Sequence, residues 1–432
     1  MSTRVFWGEE QVLRKAQELG GCLVLYSGGL DGTYFLAQVA KLPGAVRCVP
    51  LVVDLGWPAP LDQIAARARA LTGDCIVEDA VALFADEYVA PSIRANALYN
   101  GDYPLSASLS RPLLAELAAR YAHERGLRMV VHTSTVLQNS SVRMTKTLLR
   151  LDENLVVGMP SLMHETSRLE KAAFVAGTNV GEIFSDSASK DANLWCEETE
   201  SADHLDPETG MDPELPYPPP ATLPAQRDIA LGFQNGLPSS LDGQPMRLCD
   251  LVKTLDDLGK SYGLGLFSGL EQCPLGPKRL EVRRASGAAL IVAAHRALEM
   301  AVLDERTLAT KRILELEWTN LASGGEWHSP ARRAIDAYME SLSDRVEGTV
   351  TLRLAPHRFR VAGLRTPNRN YLSALEESSF SLEEAKGMDS LVSMLLFGET
   401  PVGAALEAGS GSAHEAALQE DETVSFMATK AL

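Results

Sequence analysis

The residues with the most chemical promise are Ser27-Gly28-Gly29-Leu30-Asp31-Gly32-Thr33. They follow an apolar run, residues 22–26 ending at Tyr26, that reads as a buried strand, and they precede a helical pattern over about 33–40. Two adjacent glycines let a backbone turn sharply and come close to a ligand. The following helix aims free N–H groups and the positive end of its dipole at such a turn. A nest of this kind suits phosphate, and Ser27 and Thr33 add hydroxyls. It is not a Walker loop, because the G-x-x-x-x-G-K-[ST] spacing is missing. An ordinary glycine turn with Asp31 capping the helix uses the same residues; the strand context and Asp31 favour phosphate.

A second polar strip runs from Arg94 to Pro112 and carries Tyr99, Tyr103, Ser108 and Arg111. Pro112 suits a first helical turn, so a helix is expected over 111–125. Alone, the strip is a loop over a helix N-terminus; beside a phosphate turn it becomes a candidate wall of a site.

The elements that must position these residues alternate. Apolar runs at 22–26, 48–53, 75–77 and 129–131 are separated by helical patterns at 33–40, 61–71 and 111–125, with another helix at 9–19. That alternation predicts an α/β fold, a doubly wound parallel sheet, ending near Val180. Residues 198–245 are acidic and then rich in proline, from Pro213 to Pro220, and read as an extended connection. A mixed α+β region follows, with helices near 247–262 and 286–304 and a strand pair at 347–354 and 358–364. Three segments are expected: a nucleotide-binding domain over 1–180, a second domain over 181–390, and a Gly-, Ala- and Ser-rich tail over 391–432.

At 432 residues and 45% apolar content the chain can bury a sizeable core. A net charge of -17 argues against a dedicated binder of nucleic acid or anionic membranes. No apolar run is long enough to span a bilayer, so a soluble, cytoplasmic protein is expected. The six scattered cysteines contain no C-x-x-C pair, and neither a zinc site nor a disulfide framework is expected.

The turn resembles the SGG-x-D loop of the ATP pyrophosphatases, with Gly32 replacing a hydroxyl residue. The strip from Arg94 to Pro112 resembles the corresponding strip of argininosuccinate synthases. Further blocks similar to that family follow in order: His132 to Arg143, Ser189 to Trp195, Gly263 to Glu271, Trp327 to Pro330 and Arg345 to Val350. The resemblance covers about 20–395. It implies an ATP-pyrophosphatase (HUP-like) domain followed by a synthetase and oligomerisation domain, assembled as a homotetramer with a helical region around 381–396 among its association elements. The implied reaction adenylates the ureido oxygen of a citrulline-like substrate with ATP and Mg²⁺. An amine then displaces AMP to form a C–N bond. The implied partners are amino-acid-like small molecules.

Residue by residue, the resemblance implies that Tyr26, Ser27, Gly28, Gly29, Leu30, Asp31, Thr33 and Val53 meet ATP. It implies that Tyr103, Ser108, Arg143, Ser189, Glu198, Glu271 and Arg283 line the electrophile site. Thr135, Asn139 and Ser140 fall on amine-donor positions. No protein metal ligand and no general base is assigned. The departures cluster. Val136, Leu137 and Gln138 stand where the family has glycine, lysine and glycine, which removes a cation near the phosphates. Ser140 replaces an acid, Glu198 a serine and Arg283 a tyrosine. Arg283 either pairs with Glu198 or anchors a substrate carboxylate. Three readings follow: a ligase with altered substrates in a specialised pathway, a genuine argininosuccinate synthase, or a catalytically weak nucleotide-binding or regulatory homologue.

Overall fold

Strands that are apolar along most of their length need cover on both faces, and the computed structural model provides it. It describes residues 4–44, 46–163, 165–181, 189–200, 206–208 and 224–371. A six-stranded, all-parallel sheet runs in the order Val5–Trp7, Val156–Met159, Met129–Val131, Gly21–Leu25, Arg47–Asp54, Ile76–Asp79. Successive side chains leave a strand on opposite faces. Leu23 and Val130 pack with Leu109 and Leu113 of the helix Ala107–Glu124. Cys22, Val24 and Met129 pack on the other face with Val12, Phe35, Leu36 and Ile64. The doubly wound α/β fold is what the alternating runs implied.

The strand order reverses at Gly21–Leu25. From there the chain winds outward through Arg47–Asp54 to Ile76–Asp79, then returns to Met129–Val131 on the other side. Carboxyl ends of the two strands flanking such a switch point open a crevice suited to a ligand. The glycine turn follows one of them, and the strip from Ser134 to Asn139 follows the other.

Beyond this sheet lie two antiparallel ones. One orders Leu266–Gln272, Lys278–Arg284, Glu197–Glu200 and Ser189–Ala192; the other orders Gln244–Pro245, Leu237–Leu241, Arg227–Gln234, Gly348–Ala355 and Arg358–Arg365. Both sheets lie in the unit that packs together up to Asn368.

Three expectations change. The helix after the polar strip begins at Ala107, so Pro112 lies inside it and not in its first turn. Proline cannot donate to the Ser108 carbonyl one turn back, and close packing of Leu109 and Leu113 on both sides holds the helix across the gap. The helix after the glycine turn begins earlier as well, at Leu30. Part of 198–245 is not a connection but sheet: Glu197–Glu200, Arg227–Gln234, Leu237–Leu241 and Gln244–Pro245. Asn235-Gly236 and Asp242-Gly243 all have positive φ (49°, 72°, 50° and 79°), which two-residue hairpin turns require. The proline run 213–220, the 381–396 region and the 391–432 tail lie outside the described residues.

Candidate active site

The glycine turn is built as a cradle. Gly29 precedes the helix Leu30–Val39 in extended conformation, and Gly28 has φ +83°. A Cβ on Gly28 would meet Ile64 Cγ1 at 2.8 Å, so only glycine fits. Gly32 has a different cause. A Cβ there would lie 2.9 Å from Tyr26 Cδ2, so the tyrosine ring occupies the room a hydroxyl residue would need.

Ser27 is exposed at the mouth. The Thr33 hydroxyl, expected as a second donor for a ligand, is instead used within the turn. It is buried, donates to the Gly29 carbonyl at 2.8 Å, and lies 2.8 Å from the Tyr26 hydroxyl. Leu30 is buried beneath the turn against Tyr34 and Val175. Val53 stands near the end of the neighbouring strand, whose Leu51 carbonyl accepts from the Tyr26 N–H at 2.9 Å.

The candidate electrophile residues form a buried cluster of charge. Strand periodicity puts Glu281 and Arg283 on one face, and Glu198 lies directly opposite Arg283. Arg283 donates to Glu198 at 3.2 Å, to Glu281 at 2.7 Å and to Glu271, while its other terminal nitrogen donates to the Pro104 carbonyl at 3.1 Å. From the helix Asn139–Leu151, Arg143 donates to Glu271 Oε1 at 2.7 Å and to the Ser323 carbonyl at 2.9 Å. Asn139 donates to the same Glu271 oxygen at 3.0 Å.

The pairing alternative for Arg283 and Glu198 is therefore the observed one. The three glutamate oxygens sit close enough to bind a metal ion, but the Arg283 guanidinium already stands among them.

Protonation follows from the same geometry. Burial alone would raise the Glu271 carboxyl, but Arg283 and Arg143 outweigh it and hold it at about 2. Burial likewise opposes ionisation of Glu198, and Arg283 again prevails and keeps it below the usual range. Glu281 goes the other way. Burial and the neighbouring Glu198 push it well above the carboxylate range. Two guanidiniums thus face three acids, two whose ionised form they favour and one that resists ionisation. A buried ion pair is tolerable when the charges match.

Tyr103 closes the cluster. Its ring lies under Arg283, 4.7 Å from the guanidinium carbon, and against Gly269, where a Cβ would lie 2.4 Å from Tyr103 Cε1. Its hydroxyl is buried and has no partner among the described residues. Ser108, on the first turn of the helix Ala107–Glu124, is buried; the helix's first N–H, on Ala107, lies 3.5 Å from Glu198 Oε2. Ser189 begins the strand Ser189–Ala192, its backbone opposite Glu200.

Of the amine-donor candidates, Asn139 joins this cluster through Glu271, whereas Ser140 does not. Its hydroxyl accepts from Arg111 Nε at 2.9 Å, and Arg111 continues to Asp191 at 3.0 Å. Thr135 is nearly buried, and its N–H donates to the Gln138 side chain at 3.0 Å.

Four charged residues near these groups had been given no role. Glu281 was legible from strand periodicity, two positions before Arg283. Arg111 stood in the polar strip without an assignment. Arg67 donates to the Gly28 carbonyl at 2.7 Å, and Lys171 pairs with Asp31 at 2.7 Å; neither has a local sequence signal.

Comparison with known proteins agrees with this architecture. Residues 22–181 match the model of the arginosuccinate synthase N-terminal HUP domain, and residues 188–395 match that of the arginosuccinate synthase C-terminal domain. The argininosuccinate synthase of Rubrobacter xylanophilus is 34% identical over 385 residues, covering 86% of this chain and 94% of the relative. That of Picrophilus torridus is 31% identical over 352 residues, covering 81% and 88%. That of Rhodococcoides fascians is 34% identical over 376 residues, covering 84% and 94%. With both halves matched in order, the chain belongs to the argininosuccinate synthase family.

Proposed function

We propose that this chain binds ATP in the turn from Tyr26 to Thr33, with Val53 beside the base. The adenylyl group then passes to the oxygen of a ureido or carboxylate substrate, releasing pyrophosphate, and an amine displaces AMP as the C–N bond forms. The AMP-forming, ATP-dependent carbon–nitrogen ligase class is that of the family. The observation that carries the reading is the glycine cradle, a helix N-terminus at the switch point of a parallel sheet. A urea is a poor electrophile, and esterifying its oxygen with AMP supplies a leaving group.

Mg²⁺ would arrive on the phosphates and offset charge developing on pyrophosphate. Asp31, half-exposed and paired through Oδ1 with Lys171, would leave only its other oxygen for the metal, with substrate phosphates supplying the rest.

The electrophile site is proposed around Tyr103, whose buried hydroxyl has no partner among the described residues and would be satisfied by a ligand. Ser108, Ser189 and Arg143 are assigned to the same site, and Asn139, Thr135 and Ser140 to the amine-donor side. We place altered substrates first, because Arg283 already satisfies Glu271 and Glu198 and leaves neither free to hold a substrate ammonium. The second reading is argininosuccinate formation from citrulline and aspartate, favoured by relatives matched over 94% of their length. Association into a homotetramer is part of the proposal.

Products of turnover analysed by phosphorus NMR test the chemistry. AMP and pyrophosphate are expected, and ADP with phosphate would overturn it. Gly28→Val should abolish turnover in a folded protein. A kcat/KM for citrulline and aspartate typical of a biosynthetic enzyme would favour the second reading.

A further inference from the structure

A buried lysine on another element reaches the glycine turn. The helix Arg168–Ala176 opens on a capping box between Ser167 and Glu170 and packs on the helix Leu30–Val39. Val175 lies against Leu30 and Tyr34, and Phe174 meets Tyr34 edge-on at 5.2 Å. This docking carries Lys171 to the glycine turn, where its ammonium lies 2.7 Å from Asp31 Oδ1. The lysine side chain is only 3% exposed, whereas the Asp31 side chain is 40% exposed at the mouth. A buried ammonium without a partner is costly, so the pair is fixed from the lysine side.

Asp31 is the second residue of the helix Leu30–Val39, where a carboxylate complements the positive end of the helix. The same position sets a negative charge against any polyphosphate that uses that end. Arg67, another cation at the turn, donates to the Gly28 carbonyl.

We propose that Lys171 is a positioning residue for ATP: it neutralises and anchors Asp31, so that the turn presents N–H groups and no net negative charge to the phosphates. The inference rests on ATP occupying the turn. Without Lys171 a bare carboxylate faces the triphosphate, and affinity should fall on the order of tenfold or more.

Calorimetric titration with α,β-methylene-ATP in EDTA tests this without turnover and without a metal ion to stand in for the lysine. Lys171→Met should bind at least about tenfold more weakly than the wild type, by the same charge argument. Adding Asp31→Asn to it should recover most of the loss. Wild-type affinity in Lys171→Met, or a double variant as weak as the single one, would overturn the inference. Should Lys171→Met fail to fold, Asp31→Asn alone serves. It should bind at least as tightly as the wild type, and a large loss overturns the proposal. Gly28→Val separates the two readings. If it binds normally, ATP does not occupy the turn; if it loses binding while Lys171→Met keeps it, only the role of Lys171 fails.

Discussion

Arg283 and Glu198 stand directly opposite one another on neighbouring antiparallel strands and pair at 3.2 Å, both buried. Because Arg283 also holds Glu271 and Glu281, removing it strands negative charge in the interior. Arg283→Met should destabilise the fold by about 3–5 kcal/mol. Replacing both partners, Arg283→Tyr with Glu198→Ser, should cost less than the two single changes added together. Denaturant midpoints of the four proteins read this directly.

The same pair bears on substrate choice. Ser140→Asp with Glu198→Ser and Arg283→Tyr frees Glu271 from one of its guanidiniums and returns a carboxylate to the amine-donor side. Citrulline and aspartate should then react with kcat/KM raised by about tenfold or more, the scale on which a mismatched pocket charge acts. An unchanged value in a folded triple variant would place the obstacle in Val136, Leu137 and Gln138.

Gly32→Ser restores a hydroxyl to the turn but drives its Cβ to within 2.9 Å of the Tyr26 ring. Overpacking of this kind costs about 1–3 kcal/mol. The thermal midpoint should fall, and ATP affinity should not improve.

Two buried histidines make the fold acid-sensitive. Burial, with Arg111 near one and Lys311 near the other, lowers both His132 and His295 from 6.5 to about 3. Their folded values are depressed, so the stability they contribute is complete above about pH 6.5 and is lost as pH falls toward 3. Each should add a slope of about 1.4 kcal/mol per pH unit between those limits. Urea midpoints at pH 7 and pH 5 should show the drop. His132→Gln with His295→Gln should flatten it, even if stability at pH 7 is lower.

Sedimentation at micromolar concentration should show a tetramer. Met300, Ile313 and Leu316 are exposed on the helices Ser286–Val302 and Glu305–Ser323, and association would cover them. A stable monomer would contradict the assembly.

Much of the parallel sheet was legible because buried strands announce themselves as apolar runs between helical periods. The strand Val156–Met159 did not, its short apolar run being interrupted by Gly158. Asn235-Gly236 and Asp242-Gly243 were hairpin signals in plain view, obscured by the proline run before them. Glu271 and Arg283 were found by resemblance, and their pairing required the strand register. Lys171 could not be found from sequence at all. Its helix is ordinary on its own, and only the docking of Val175 and Phe174 against Leu30 and Tyr34 sets the amine beside Asp31.

Glu271 is gripped by Arg143 and Asn139, which precede it by 128 and 132 positions, and Arg143 also needs the Ser323 carbonyl 180 positions later. During synthesis, then, the glycine turn and the parallel sheet leave the ribosome long before the pocket has its carboxylate. A nascent chain that has reached only residue 265 carries the nucleotide cradle and Tyr103 but neither Glu271 nor Arg283. Its helix Asn139–Leu151 already packs on the helix Ala107–Glu124, but Arg143 still lacks both of its acceptors. The charge cluster around Glu271 is therefore assembled only after the nucleotide fold, once the chain has passed Ser323.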